Sequence, residues 1–447
     1  MKSGNIIFRV DASLEIGTGH VMRCLTLAEG LRERGRECRF VCREHPGNLI
    51  DLISERGFTT HGLPASDTSR SEDLAPDSPA HAGWLGADWR TDAAQTCEAI
   101  GDVTVDWLVI DHYAIDKKWE KELRTVCDSL MVIDDLADRN HDCDLLLDQN
   151  LVENWQERYR GKVPDNCAFL LGPEYALLQP LYGELHERIP PREGPIRRIL
   201  VYFGGADIDN LTGMAISAFV SLKTKDVAID VVINPTGPHA ESLRELATTD
   251  SRIRLHERLP SLAPLMVKAD FAVGAGGATS WERCCLGLPS AVITLAENQR
   301  PIAAELHKQR LVQWLGHKDE VDECAMAEIL RKIMDNGLES GWSERCGHAV
   351  DGKGTSRVSS ILVVDDENSL RIRPATMSDE NNVLRWSNFL STCAHTSTQN
   401  IHNSIEITRN FRKYLRDVDT YHVFIIETSS NIPVSLICFS RHETLWS

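Results

Sequence analysis

A histidine set just behind a glycine turn is the feature of this sequence best suited to chemistry. In "RVDASLEIGTGHVMRCLTLAEGLRERG" (Arg9 to Gly35) an apolar strand runs into Gly17 and Gly19, and His20 opens an amphipathic helical pattern. Glycines there permit a tight turn and close approach to a ligand. The helix start offers unpaired N–H groups and partial positive charge to an anion. The same dipole holds an imidazole toward its neutral form, and a neutral imidazole in a cleft can take a proton from water. Asp11, at the end of the strand, is placed to orient the ring or the water. The ring could equally cap the helix or bond a backbone carbonyl. A dinucleotide site keeps a small residue where His20 stands and an acid about 20 residues further on. His20 thus weakens the dinucleotide reading, while Glu44, which falls near the acid's place, leaves it open.

Two later stretches repeat the strand–glycine–helix pattern. "VYFGGADIDNLT" (Val201 to Thr212) ends a strand in Gly204 and Gly205 before a polar turn, a weak phosphate-loop signal because Gly-Gly commonly terminates strands. "VGAGGATSWERCCLGLPSAVI" (Val273 to Ile293) is richer. Gly274, Gly276 and Gly277 suggest an anion-friendly loop, Thr279 and Ser280 add hydroxyls, and Glu282 lies in the first helical turn. A carboxylate there can accept both hydroxyls of a ribose while loop amides hold a diphosphate. It could also simply complement the helix dipole. Asn298 and Gln299 in "LAENQRPIAAEL" are amide hydrogen-bonders that could face a cleft or stand as loop polars. "IDDLADRNHDCD" is rich in Asp and His, but adjacent Asp134 and Asp135 diverge at a strand end, so no metal site is expected.

The elements that must position these residues are legible as apolar runs. "NIIFRVD", "ECRFVCRE", "DWLVIDHY", "LMVIDDL" and "CDLLLDQN" alternate with helical patterns, the signature of parallel strands with crossover helices. The polar stretch "PASDTSRSEDLAPDSPAHAG" reads as a surface loop. "HERIPPREGPIRR" marks a boundary, after which "RRILVYFGG", "VAIDVVINPTG", "RIRLHERL" and "ADFAVGAGG" begin a second α/β set. Two such halves imply a cleft, with ligands beyond the carboxyl ends of the strands. The expected domains are 1–188, 189–365 and a shorter third piece, 366–447. At 447 residues, 42% hydrophobic and 26% charged, the composition is that of a globular protein. Asp and Glu outnumber Lys and Arg by 66 to 48, which argues against a nucleic-acid partner. No run is long enough to span a membrane, and because "MKSGNIIFRV" runs straight into a strand no signal sequence is expected. The 13 cysteines form no CxxC pair, so a cytoplasmic protein with reduced thiols is expected.

Six motifs in order, "RVDASLEIGTGHVMRCLTLAEGL", "LVIDHYAID", "IDDLADRNHDCDLLLDQN", "LGPEYALL", "YFGGADIDNLT" and "GAGGATSWERCCLGLPSAVITLAENQ", resemble the hydrolases of the pseudaminic-acid pathway over roughly residues 5 to 350. That family acts on UDP-2,4-diacetamido-2,4,6-trideoxy-β-L-altropyranose and is similar in fold to the GT-B glycosyltransferases. The resemblance implies a GT-B-like α/β fold, two Rossmann-like domains facing a cleft, and cleavage of a sugar–UDP bond by water without metal or cofactor. His20 is then the catalytic base and Asn298 contacts the sugar or assists. The glycine loop Gly274, Ala275, Gly276, Gly277, Ala278 and Thr279, with Glu282, binds UDP. Asp11 completes the expected catalytic set, and Gly17, Thr18, Gly19, Arg23, Gly204, Gly205 and Gln299 the expected binding set. Attack opposite the leaving group would invert the anomeric centre. The insertion near residues 65 to 80 is longer than the family's pattern.

The tail resembles a different family. "RIRPATMSDENNVLRWSN" and "YHVFIIETSSNIPVSLICFS" are similar to the first half of a GNAT acetyltransferase, with Ser378 expected to cap a helix. Such enzymes bind the acetyl-CoA pyrophosphate in a loop after a fourth strand. The tail is therefore expected to be a truncated α+β segment without acetyl transfer, whose open sheet edge could dock other enzymes of the pathway. Two further readings of the whole chain are a GT-B glycosyltransferase using a UDP-amino sugar and a non-catalytic sugar-nucleotide-binding scaffold.

Overall fold

A computed structural model describes residues 4–65, 78–205, 207–222, 226–363, 370–390, 404–417, 421–428 and 433–440. Most of the polar insertion, at 66–77, and the "SSN" turn lie outside the described residues, as does Ala206 of the second glycine stretch. The chain divides into two compact units, Met1–Val358 and Ser359–Ser447.

The first unit holds two parallel sheets. The first contains β1 (Asn5–Val10), β2 (Glu37–Arg43), β3 (Thr59–Leu63), β4 (Val105–Asp111), β5 (Cys127–Ile133), β6 (Leu145–Asp148) and β7 (Ala168–Leu171). Their order is β3-β2-β1-β4-β5-β6-β7. The second contains β8 (Arg198–Tyr202), β9 (Ala228–Ile233), β10 (Ile253–Glu257), β11 (Phe271–Ala275), β12 (Ser290–Thr294) and β13 (Gln313–His317), in the order β10-β9-β8-β11-β12-β13. Central strands such as β4, β5 and β12 read as near-continuous apolar runs because helices cover both faces of a parallel sheet. The order reverses between β1 and β4 in one sheet and between β8 and β11 in the other. These are the switch points beyond which α/β sheets bind ligands. Strands β3, β7 and β13 escaped the sequence reading. Each is an edge strand, four or five residues long, without the doubly covered apolar run of a central strand.

Each sheet has its own core, Leu108, Leu130 and Trp119 being buried in one and Phe219, Phe271 and Trp281 in the other. After the second sheet the chain returns to the first half. Thr355 donates to the Leu178 carbonyl at 2.7 Å and Arg34 to the Ser356 hydroxyl at 2.6 Å. No helix among the described residues is long and apolar enough to cross a membrane.

The second unit is an antiparallel sheet, β14 (Leu370–Pro374), β15 (Tyr421–Thr428) and β16 (Pro433–Ser440), in that order. Val383, Phe411 and Val423 form its small core. Its first helical turn is capped by Thr376, not by Ser378 as expected. The Asp379 carboxylate accepts from the Thr376 backbone N–H at 2.8 Å in a capping box, and the Ser378 hydroxyl merely pairs with that of Thr376.

Candidate active site

Strand β1 ends at Val10, the chain turns through Gly17 at φ +80°, and the helix Gly19–Glu33 begins. Its N-cap, Thr18, makes no side-chain capping bond, so the first helical amides are left for a ligand. His20 is nearly buried on this first turn. Its Nδ1 lies 2.6 Å from the Asp111 carboxylate. The pairing is topological in origin: β4 lies beside β1 with Asp111 opposite Val10, which brings the end of β4 under the helix start. Arg23, one turn further on, grips the same carboxylate through Nε at 2.6 Å and Nη2 at 2.7 Å. Burial works against the Asp111 charge, but Arg23 and His20 outweigh it and hold the carboxyl well below its usual range. Facing an ionised oxygen, Nδ1 is the nitrogen suited to donate, so in a neutral ring the acceptor would be Nε2. The ring lines a cavity of about 470 Å³, with Tyr113 edge-on at 4.5 Å between ring centroids.

Asp11 does not serve His20, which corrects the sequence expectation. It is fully buried, accepting from Arg9 at 2.6 Å and from the Arg43 backbone N–H at 2.7 Å, with His112 Nε2 at 3.1 Å. His112 Nδ1 accepts from the Ala114 N–H at 3.1 Å, so its proton sits on Nε2, toward Asp11. Arg9, Arg43 and Trp119 all converge on Asp92 nearby. Asp11 thus belongs to a buried ionic lattice beneath the site. Glu44 lines neither cavity described here.

The second half contributes a cavity of about 770 Å³ that shares Gly19, Arg23, Gln149 and Ala278 with the first. The two cavities adjoin at these residues, between the halves. Gly276, Gly277 and Ala278 make the turn into the short helix Thr279–Cys285. Gly274 and Ala275 are not in that loop but inside β11. A Cβ at Gly274 would stand 2.3 Å from the Tyr202 carbonyl oxygen, so this glycine is required by strand contact, not by phosphate. Ser280 is buried and accepts from Arg283 at 2.9 Å. Glu282 lines the larger cavity and its Oε2 has no hydrogen-bond partner. Burial pushes its carboxyl up to about 7, while the Tyr182 hydroxyl bonded to it and Arg283 pull the other way. An unsatisfied, partly desolvated acceptor is suited to a ligand's hydroxyls.

Gly204 and Gly205 follow β8 and do not themselves begin a helix. The helix beyond them, Leu211–Ser221, has its first amides filled: Asp207 accepts from Leu211 and Thr212, and Asn210 from Gly213. Gly205 nevertheless lines the larger cavity. Asn298 and Gln299 both line the His20 cavity, Gln299 accepting the Leu295 N–H at 2.8 Å.

Sequence reasoning missed the carboxylates at the strand ends. Asp111 lay in the quoted "LVIDHY" run and was detectable, since adjacency of the first and fourth strands follows from a doubly wound order. Asp135, at the end of β5, accepts from Arg23 at 2.7 Å, Tyr113 at 2.6 Å and Asn150 at 2.6 Å, and lines the His20 cavity. Behind it Asp148 is pushed up to about 7 by burial and the nearby Asp135 charge, against Arg158.

No family model matches the chain. The spore coat polysaccharide biosynthesis protein SpsG of Bacillus subtilis is 25% identical over 355 residues, covering 79% of this chain and 96% of that protein. The UDP-2,4-diacetamido-2,4,6-trideoxy-β-L-altropyranose hydrolase of Campylobacter jejuni is 25% identical over 304 residues, covering 68% and 96%. An uncharacterized protein of Methanocaldococcus jannaschii is 24% identical over 296 residues, covering 65% of this chain and 55% of that protein, so the chain spans about half of its length. Among solved structures, a UDP-glucosyltransferase from Polygonum tinctorium superposes with a TM-score of 0.57 at 13% identity, covering 82% of this chain and 100% of that one. MurG of Acinetobacter baumannii gives 0.55 at 13%, covering 80% and 99%. The chain has the GT-B fold.

Proposed function

We propose that this chain is a hydrolase that cleaves the anomeric C–O bond of a UDP-linked diacetamido sugar, releasing free sugar and UDP. The observation that carries the reading is the His20–Asp111 pair, at 2.6 Å, in a cavity that adjoins the Glu282 cavity. A base therefore stands beside a nucleotide-sized cleft. The named hydrolase of Campylobacter jejuni, similar along 96% of its length, supports the same reaction class.

In this scheme the uridine diphosphate lies in the larger cavity. Its ribose hydroxyls donate to Glu282, and its diphosphate meets the amides after Gly276 and those at the start of the Gly19 helix. UDP is a good leaving group, so the demand is for an oriented water and for donors where negative charge builds. Nε2 of His20 takes a proton from that water as its oxygen attacks the anomeric carbon opposite the diphosphate, inverting the centre. Asp111 fixes the ring tautomer and stabilises the imidazolium, as the buried aspartate of a catalytic triad does. Asn298, lining the same cavity, contacts the sugar.

The testing experiment is proton NMR of the protein with UDP-2,4-diacetamido-2,4,6-trideoxy-β-L-altrose, in parallel with the His20→Asn variant. Free sugar appearing first as the inverted anomer, with turnover collapsed but UDP binding kept in the variant, is the expected result. Unchanged turnover in the variant would remove His20 as base. A glycosyltransferase reading is favoured by the transferase neighbours in fold. It predicts that the substrate stays intact until an acceptor is added.

A further inference from the structure

The cavity around His20 has a wall that water activation does not use. Residues Ala82–Leu85 form a single 3-10 turn, anchored by Leu85 in the core of the first half. Beside it Trp84 lines the cavity. The indole Nε1–H donates to the Glu15 carboxylate at 2.8 Å, so its polar edge is satisfied on the loop that leads into His20. The ring stacks on Tyr113 with centroids 5.8 Å apart and planes 23° apart, and His81 packs against it at 4.3 Å. Burial lowers the His81 pKa, so the ring packed on Trp84 favours its neutral form. Among the other residues lining the cavity are the amide side chains of Asn150 and Asn298.

An aromatic wall in a pocket that also carries amide groups suits a particular kind of sugar. Hydroxyls pressed on an indole face would lose their water without replacement, whereas a methyl group gains from the contact. Amide side chains in turn pair with the N–H and C=O of an N-acyl group. We infer that Trp84 is a specificity-determining residue whose ring receives the methyl of an N-acetyl group on the sugar. The inference rests on the UDP-sugar reading of the cleft and adds the residue that selects the acyl group.

The test compares the UDP-2,4-diacetamido sugar with its 2,4-diformamido analogue, which lacks only the two methyl groups. Dissociation constants are measured calorimetrically in the His20→Asn background, with UDP alone as a control and turnover followed in the His20 form. A well-fitted methyl is worth roughly 10-fold or more. With Trp84 intact the acetyl compound should bind about 10-fold tighter than the formyl one. Trp84→Ala should lower the ratio about 10-fold, the share of the one methyl it receives, and leave UDP affinity within about 2-fold, and Trp84→Phe should restore most of the ratio. Unchanged UDP affinity also shows that the variants fold. A ratio that survives Trp84→Ala unchanged, or that is absent with Trp84 present, overturns the inference. Intact discrimination without turnover would sink the hydrolase reading while supporting the role of Trp84. Failure to bind UDP at all would overturn both.

Discussion

In a Glu282→Gln variant the side chain keeps its volume and a partner for Tyr182 but can no longer ionise. The carboxyl is raised from 4.5 to about 7 in the folded protein, chiefly by burial. A raised folded-state value means the folded chain binds the proton more tightly than the unfolded one. That advantage is complete below the unfolded value and is lost as pH rises through about 7. At 1.36 kcal/mol per pH unit the ionised carboxylate costs at most ~3 kcal/mol at pH 8, and relaxation around it brings the figure to roughly 1–3 kcal/mol. The variant should therefore be more stable than the parent at pH 8, by about 2–6 °C in melting temperature, with the difference shrinking toward pH 5. Ligand binding should move the opposite way. Two ribose hydroxyls lose a charged acceptor, each such bond being worth about 1.5–3 kcal/mol, so UDP affinity should fall about 100-fold or more. Thermal unfolding at pH 5 and 8, with UDP titration calorimetry at pH 8, reads both effects. Destabilisation at pH 8, or UDP affinity equal to the parent's, would refute the assignment of Glu282 as a desolvated ribose acceptor.

Asp111→Asn should lower kcat about 10³–10⁴-fold with UDP affinity nearly unchanged, because the ring loses its tautomer control but the cleft persists. A kcat within about 3-fold of the parent would show that the pair is structural. Gly274→Ala places a methyl 2.3 Å from the Tyr202 carbonyl oxygen and must part β8 from β11. A loss of about 3 kcal/mol in denaturant unfolding is expected. Asp207→Ala removes the acceptor for two amides of the helix Leu211–Ser221. It should cost about 1 kcal/mol and leave UDP affinity unchanged, whereas a large loss of affinity would assign Gly204 and Gly205 to the phosphate site. Turnover should persist in EDTA, since the proposed scheme uses only groups of the chain itself; loss of turnover restored by a divalent cation would defeat it.

Much of the architecture was legible because its signals are local. Apolar runs such as "DWLVIDHY" and "LMVIDDL", short and alternating with helical patterns, read as strands covered on both faces, and "IGTGHVMRCL" reads as a turn entering a helix, so the central strands and the place of His20 followed from periodicity and glycine chemistry. The half-polar edge strands β3 and β13 left no comparable trace. What the chain could not announce was which carboxylate meets which base. Asp11 is nine residues from His20 in sequence and Asp111 is ninety-one. Only the pairing of β4 beside β1 puts the second, and not the first, against the ring. The same holds for Gly274, whose neighbour across the sheet, Tyr202, explains it better than any loop motif. Ionic and steric contacts of this kind depend on strand order and on burial, which weakens screening and makes each charge demand a partner. Those are properties of the folded sheet, and no local pattern of residues carries them.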